Sequence, residues 1–282
     1  MPLFKRSDGY LVKDADPFAK MMPYIMSSRT DSQNQMTESF ECDPMDRYIE
    51  QKRVQNITVT YMDILMAAIV RTIKLRPGIN RFINNGKIYQ RYKIYISLVI
   101  HRTLRGDGDE TSVKFEFIGD ENIFKVMQIV RDKIEETMKS KTNETDQVVD
   151  KIMAAPGFLV RFIVNMLKWM DKHNILPKQI IEASPFHTSA FVTNLKSIGL
   201  GAIFHHVYEF GTTGIFFSLG KEKMEVVSDK KGNVSAKKMI DFGLVSDERF
   251  SDGLYFSKTM KIFRRFVKNP ELLEKEIDEN EQ

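Results

Sequence analysis

Residues 246–253, which read SDERFSDG, follow a predicted strand and precede the last predicted helix. The strand covers residues 239–245, and the helix runs from about residue 253 to 268 before Asn269-Pro270 ends it. An acidic tail at 274–282 follows. A loop rich in Asp, Ser and Gly at this position can present polar side chains at the end of a strand.

Two further strands lie upstream of this loop, AFVTN at 190–194 and GIFFSL at 214–219. A helix is predicted to begin at Thr60, where a hydroxyl residue is followed three positions later by Asp63, and to end at Arg76-Pro77-Gly78. A tight turn is predicted at residues 84–87 (NNGK). Strands and helices mix without regular alternation, and the sequence has no glycine-rich phosphate loop. The fold class is therefore predicted to be α+β.

The composition is that of an ordinary globular protein. The 282 residues are 42% hydrophobic and 28% charged, with a net charge of +4, so neither disorder nor nucleic-acid binding is indicated. The lone cysteine, Cys42, is expected to be a small apolar residue rather than a catalytic thiol, and it favours a reducing compartment. No signal peptide or membrane-spanning run is recognised, so a cytoplasmic location is expected.

The helix at residues 158–172 is unusual because it is apolar over most of its circumference. Its polar residues form one narrow stripe with a spacing of four, three and four: Arg161, Asn165, Lys168 and Lys172. Such a helix is normally buried against several neighbours, which is the expectation here. A wall of an acyl pocket, a partner-docking helix and peripheral contact with a membrane surface are the alternatives.

Four short motifs in this order resemble those of one family. They are Glu41-Cys42-Asp43 for its Glu-x-Asp, residues 76–80 (RPGIN) for its Pro-x-Leu-Asn, residues 191–195 (FVTNL) for its Thr-Ile-Ser-Asn-Leu-Gly, and residues 246–253 for its Asp-His-Arg-x-x-Asp-Gly. The family is the catalytic domain of the dihydrolipoamide acyltransferases of 2-oxoacid dehydrogenase complexes, whose fold is that of chloramphenicol acetyltransferase. The resemblance covers residues 18–273.

The resemblance implies a two-layer α/β sandwich with a mixed sheet. It predicts one domain over residues 1–282, with a helical insertion at about 139–183. It also implies a homotrimer with the active site between subunits, and coenzyme A or acyl-coenzyme A as a substrate. The chain carries no recognisable lipoyl domain, so a conventional role in a dehydrogenase complex is not expected.

The resemblance also assigns roles to residues. In the family a His is the general base toward a thiol, and a hydroxyl on the Ser-Asn-Leu strand stabilises the oxyanion. Carried across, Thr193 keeps the hydroxyl and Asp252 shapes the loop, while Gly253 and Asn194 are assigned to coenzyme A binding. The position of the family's His is occupied by Glu248.

This departure leaves the base open. A carboxylate of pKa about 4.3 is a weak base toward a thiol of pKa about 8.5, although burial raises such a value. Glu248 is therefore either a base or a loop carboxylate paired with a nearby Arg or Lys. His206 and His205, about a dozen residues past Thr193, are the alternative bases, and His187 is a weaker one. A metal site at the two adjacent histidines is not expected.

Two functions follow from these residues. One is an acyltransferase that moves an acyl group from acyl-coenzyme A to an unknown small-molecule acceptor. The other is a catalytically degenerate, trimeric binding or scaffold protein that has lost the family's His.

Overall fold

A mixed six-stranded sheet forms the centre of the computed structural model, which describes residues 5–101, 110–139 and 152–277. Its strands follow the order β2-β9-β8-β7-β5-β6, and a second, antiparallel sheet has the order β1-β4-β3. The strands are β1 (Gly9–Leu11), β2 (Gln33–Glu41), β3 (Arg81–Asn84), β4 (Lys87–Arg91), β5 (Ile94–His101), β6 (Glu110–Phe117), β7 (Ala190–Asn194), β8 (Ile215–Ser228) and β9 (Val234–Asp247).

In the large sheet β7 is parallel to both of its neighbours, β5 and β8, whereas the other pairs are antiparallel. The helices are α1 (Pro17–Ile25), α2 (Asp43–Val54), α3 (Tyr61–Leu75), α4 (Ile123–Lys139), α5 (Gly157–Lys172), α6 (Lys178–Ala183) and α7 (Gly253–Lys268). The predicted α+β class and mixed sheet are confirmed.

The two faces of the sheet differ. Alternate residues of β7 and β8, such as Val192 and Phe217, join the main core with α3, α4 and α7. Their neighbours Phe191 and Phe216 point the other way and form a small separate cluster with Val245. One face is therefore covered by a helical layer, as in a two-layer sandwich, and the other carries this small cluster.

Local sequence signals are confirmed where one short segment determines the structure. Thr60 and Asp63 form a reciprocal capping box at the start of α3. Asn85 and Gly86 both have positive φ in the turn between β3 and β4, as a tight hairpin requires. Cys42 is buried directly after β2.

Other boundaries were not predicted. The strands β8 and β9 have 14 residues each and extend well beyond the predicted 214–219 and 239–245. Their outer halves are mostly exposed on both faces, so they lack the apolar alternation that identifies a strand. The helix α2 was also missed. Residues 140–151, the first part of the predicted insertion at about 139–183, lie outside the described residues.

The expected burial of the helix at 158–172 is wrong. In α5 only Asp171 is buried, whereas Phe158 is 79% exposed, Phe162 63% and Trp169 56%. The helix contacts the body through one narrow half-buried stripe consisting of Val160, Ile163, Leu167 and Met170. A stripe with a spacing of three and four covers only one face of a helix, so the apolar residues beside it stay in solvent. Within the described ranges, every helix is too short or too polar to span a bilayer.

Candidate functional site

Thr193 lies near the end of β7, on the sheet face that has no helical layer. It is half-buried, and it pairs in register with Ser218 of β8. The Oγ of Ser218 donates a 2.5 Å hydrogen bond to the carbonyl oxygen of Ile203 and accepts one from its amide at 3.1 Å. The segment 201–208 therefore crosses this face immediately beside the strand partner of Thr193.

The same segment brings both adjacent histidines to this face. The ring of His205 stacks on Phe216 with centroids 4.1 Å apart, and Phe216 stacks on Phe191 at 5.1 Å. Phe191 precedes Thr193 by two residues, so the His205 ring lies about 7 Å back along the strand direction from the hydroxyl. His206 is exposed, and its ring packs against His205 and Tyr208.

Two glycines in the sheet allow this close approach. A Cβ atom at Gly243 would lie 2.2 Å from the carbonyl oxygen of Ile203, and one at Gly220 would lie 2.4 Å from the amide nitrogen of Ala202. Both separations are far shorter than van der Waals contact, and both involve backbone atoms. The segment before His205 therefore rests directly on the backbone of β8 and β9.

Asn194, assigned to coenzyme A binding, has a local contact. Its Oδ1 accepts a 3.3 Å hydrogen bond from the amide of Ser197 and caps the short 3-10 helix Leu195–Ile198. Its backbone carbonyl accepts a further hydrogen bond from Ser197 Oγ at 2.6 Å. Asn194 thus shapes the turn that follows the Thr193 strand, and a role toward coenzyme A stays a prediction.

The loop at 246–253 is anchored by the buried carboxylate of Asp247. Its two oxygens accept hydrogen bonds from Arg249 Nε at 2.9 Å and Nη2 at 2.7 Å, and Ser32 Oγ donates another at 3.1 Å. The Nη1 atom of buried Arg29 lies 4.0 Å from Asp247 Oδ2. The Arg29 guanidinium also donates hydrogen bonds to the backbone carbonyls of Gly211 and Thr213. A paired, hydrogen-bonded charge network of this kind fixes the loop backbone.

Glu248, at the position of the family's His, is bound by an amide. Its Oε2 accepts a 2.6 Å hydrogen bond from Asn34 Nδ2. The expected Arg or Lys partner is not the contact seen, since the adjacent Arg249 is paired with Asp247 instead. No local sequence pattern indicates this contact because Asn34 lies on β2, near the other end of the chain.

Asp252 and Gly253 complete the loop. Asp252 Oδ1 accepts a 2.8 Å hydrogen bond from the amide of Tyr255 and caps α7, which fits its predicted loop-shaping role. Among the residues that the structure describes, and apart from its own helix and chain neighbours, a Cβ atom at Gly253 would meet no atom within 4 Å.

Thr193 and Glu248 lie far apart within one chain. Thr193 is level with Ser218, which pairs with Gly243, and Glu248 follows Gly243 by five residues toward the other end of the sheet. At about 3.3 Å per residue the separation along the strands is roughly 17 Å. One chain therefore brings Thr193 together with His205 and His206 but not with Glu248 or Asp252.

A cavity of ≈ 470 Å³ was not foreseen from the sequence. It lies between α1, the β3–β4 turn and α5, and Arg249 reaches it from the 246–253 loop. Its charged lining consists of Arg29, Lys168, Asp171, Lys172, Glu209 and Arg249. These residues come from separate segments with no common motif, which is why no local pattern indicated the cavity.

His187, the weaker candidate base, is buried beneath this cavity. Its Nε2 lies 3.3 Å from Asp171 Oδ2, and its Nδ1 is 2.8 Å from Ser184 Oγ. Burial lowers the pKa of His187, and the contacts with His187 and Arg6 outweigh burial to hold the pKa of Asp171 well below its usual range. His187 precedes β7, whereas Thr193 is near its far end, so the two are not brought together.

Across residues 5–101, 110–139 and 152–277, no three His, Cys, Asp or Glu side chains are grouped so as to hold a metal ion.

The fold is that of the chloramphenicol acetyltransferase-like catalytic domains of 2-oxoacid dehydrogenase acyltransferases. A probable dihydrolipoamide acetyltransferase from Listeria monocytogenes superposes with a TM-score of 0.54 at 14% identity, over 95% of this chain and 97% of that one. The cubic core of a pyruvate dehydrogenase multienzyme complex gives 0.56 at 11% identity over 93% of both chains. A chloramphenicol acetyltransferase gives 0.55 at 10% identity, over 92% of this chain and 99% of that one.

No protein-family model matches the sequence, and no curated protein does either. At 10–14% identity the structural likeness defines the fold, and the residues must carry any functional argument.

Proposed function

We propose that the protein is an acyltransferase that moves an acyl group from acyl-coenzyme A to a small-molecule acceptor. One observation carries the proposal: Thr193 and the His205–His206 pair share the open face of the sheet. A hydroxyl donor and an imidazole that are offset by about 7 Å along the strand direction leave room between them for a thioester carbonyl and an attacking group. The acyltransferase fold of the structures it resembles supports the same chemistry.

In the proposed reaction the imidazole takes the proton of the acceptor nucleophile, which attacks the thioester carbonyl carbon. Negative charge develops on the carbonyl oxygen, and the Thr193 hydroxyl donates a hydrogen bond to it. The intermediate then collapses as the carbon–sulfur bond breaks, and the imidazolium returns its proton to the coenzyme A thiolate. A histidine suits both transfers because its ordinary pKa is near 6.5.

We propose further that three copies assemble, with the 246–253 loop of one meeting the Thr193 face of the next. The roughly 17 Å between these elements within one chain supports an arrangement in which they act together only across copies. The open Gly253 position is consistent with an approach by another molecule. If Glu248 rather than a histidine is the base, catalysis requires this assembly, because Glu248 must meet the Thr193 face of another copy.

The cytoplasmic location stays a prediction.

A degenerate binding protein is the second candidate, and one observation favours it. Glu248 Oε2 is engaged by Asn34 Nδ2 at 2.6 Å, as a structural side chain would be. A carboxylate held in this way favours a loop that has kept its shape and lost its base. In this case the trimer surface, rather than catalysis, is what the chain retains.

The test is acceptor-dependent release of free coenzyme A from short and medium acyl-coenzyme A thioesters, with thiol, amine and alcohol acceptors. We expect Thr193→Val to lower kcat/KM by about 10² to 10³, the cost of one oxyanion donor. Loss of the base is expected to cost about 10² to 10⁴. His205→Asn, His206→Asn and Glu248→Gln identify the base.

His173→Asn is the matched control because His173 is an exposed histidine at the end of α5. It should leave turnover unchanged. If the wild type neither turns over any thioester nor binds coenzyme A by calorimetry, the acyltransferase proposal is wrong and the binding protein stands.

A further inference from the structure

The exposed side of α5 is a continuous apolar ridge. Helical periodicity places its members on one arc of about 100°, next to the half-buried stripe that contacts the body. We define the ridge as Phe158, Leu159, Phe162, Met166 and Trp169, all of which are exposed. Three aromatic rings in solvent on one helix face are uncommon in a monomeric soluble protein and mark an interaction surface.

The charges beside the ridge have one sign. The polar stripe on its border carries Arg161, Lys168 and Lys172. The only acidic residue of α5, Asp171, is turned inward, where Arg6 Nη1 donates to it at 2.8 Å. The part of α5 that faces solvent is therefore apolar and cationic, with no exposed carboxylate of its own.

The neighbouring helix α1 repeats this pattern on a smaller scale. Only Pro23 is buried in it, and Phe18, Tyr24 and Ile25 are exposed beside the cation Lys20. Tyr24 of α1 and Lys168 of α5 line the same cavity, so the two helices flank it. The cationic rim of the cavity thus lies between two helices that both present apolar side chains to solvent.

We propose that α5, together with α1, docks the protein peripherally on an anionic phospholipid surface. Interfacial helices combine an aromatic and aliphatic face with Lys and Arg at its border, which is the arrangement of α5. Anionic lipid headgroups complement Arg161, Lys168 and Lys172, and the apolar ridge enters the boundary between headgroups and acyl chains. The helix lies in the surface plane and does not span the bilayer.

A two-fold pair of copies joined through the ridge fits less well. A two-fold contact would place the ridge of one copy against the same ridge of the other, with the same cations along both borders. Like charges brought together at an interface oppose association. An anionic phospholipid surface accommodates both parts of α5, because its acyl chains contact the apolar ridge and its headgroups pair with the cations.

The test is co-sedimentation of the full chain with vesicles of phosphatidylcholine alone or with 30% phosphatidylglycerol, at low and high salt. We expect binding to the anionic vesicles that weakens with salt. Phe162→Asp should abolish it, and Lys168→Gln with Lys172→Gln should weaken it about fivefold for each lysine removed.

Val54→Asp is the matched control because Val54 is 77% exposed at the end of α2, away from α5. It should bind vesicles as the wild type does. Thermal unfolding shows that each variant is folded, and Phe162→Asp should melt with the wild type because its ring is mostly in solvent.

Three outcomes would overturn the proposal. They are absence of vesicle binding by the folded wild type, binding that Phe162→Asp leaves unchanged, and a smaller assembly of Phe162→Asp in sedimentation. In the last case a second copy, rather than a membrane, covers the ridge. The assay contains no acyl donor, so its result is independent of the proposed acyltransferase activity.

Discussion

Helices α3 and α5 have similar lengths and similarly apolar sequences, but α3 is almost completely buried and α5 is mostly exposed. Of the 15 residues of α3, 13 are buried, whereas α5 buries one of its 16. The helix α3 lies between the large sheet, α4 and α7, so apolar neighbours surround it. The helix α5 has the body on one side only. Apolar composition thus indicates that a helix needs a partner, and it does not identify the partner.

The largest expected difference in stability comes from placing an aspartate in each of the two helices. Ile64 of α3 is fully buried, so Ile64→Asp places an unpaired carboxylate in the core, and we expect the chain not to fold. Phe162→Asp in α5 should change the free energy of unfolding by no more than about 0.5 kcal/mol. Circular dichroism with urea titration measures both. Equal destabilisation by the two variants would contradict the comparison.

The next effect concerns Asp171, the one buried side chain of α5. Asp171→Ala leaves buried Arg6 without one of its two carboxylates, while Asp8 still pairs with it, so the cost is that of a buried polar group that loses one partner, about 1–3 kcal/mol. The urea unfolding free energy should fall by this amount. The adjacent Lys172→Gln is the control, because Lys172 is exposed, and its stability should match the wild type. A small effect of Asp171→Ala would mean that the half-buried stripe alone holds α5.

The smallest effect is a pH dependence beneath α5. Burial lowers the pKa of His187, so the folded state excludes a proton that the unfolded chain binds below pH about 6.5. Above that value His187 contributes no pH dependence. Below it the stability falls by up to about 1.4 kcal/mol per pH unit until the folded pKa is reached.

His187→Gln should remove this slope. Unfolding free energies between pH 6.5 and pH 5 measure it, since Asp171, with its pKa held low, titrates only at more acidic pH. Parallel curves for the wild type and His187→Gln would show that His187 is not responsible.

The parts of the fold that sequence predicted are those in which neighbours along the chain interact. The capping box at Thr60 and the turn at Asn85-Gly86 each depend on a few consecutive residues. The strand carrying Thr193 was recognised for the same reason, and its motif resembles a known family. Local steric and hydrogen-bonding rules are sufficient at these positions.

The parts that sequence did not predict depend on contacts between distant segments. Asp171 meets His187 and Arg6, which come from three separate stretches of the chain. Glu248 is held by Asn34, on a strand more than 200 residues earlier. Periodicity predicted α5 correctly as a helix. It shows which face of a helix is apolar, but it does not show which other element, if any, packs against that face. The expected burial of α5 therefore proved wrong.

Gly220 and Gly243, which lie beneath the segment 201–208, are positions at which substitution should displace the histidines. Gly243 carries no reactive group, yet a single methyl group there would collide with the backbone of Ile203 and displace the segment that leads to His205. The position of the His205 imidazole thus depends on a glycine inside β9, some 40 residues further along the chain. Screens for inactive variants should find Gly220 and Gly243 as readily as the histidines themselves, with the surrounding fold left intact.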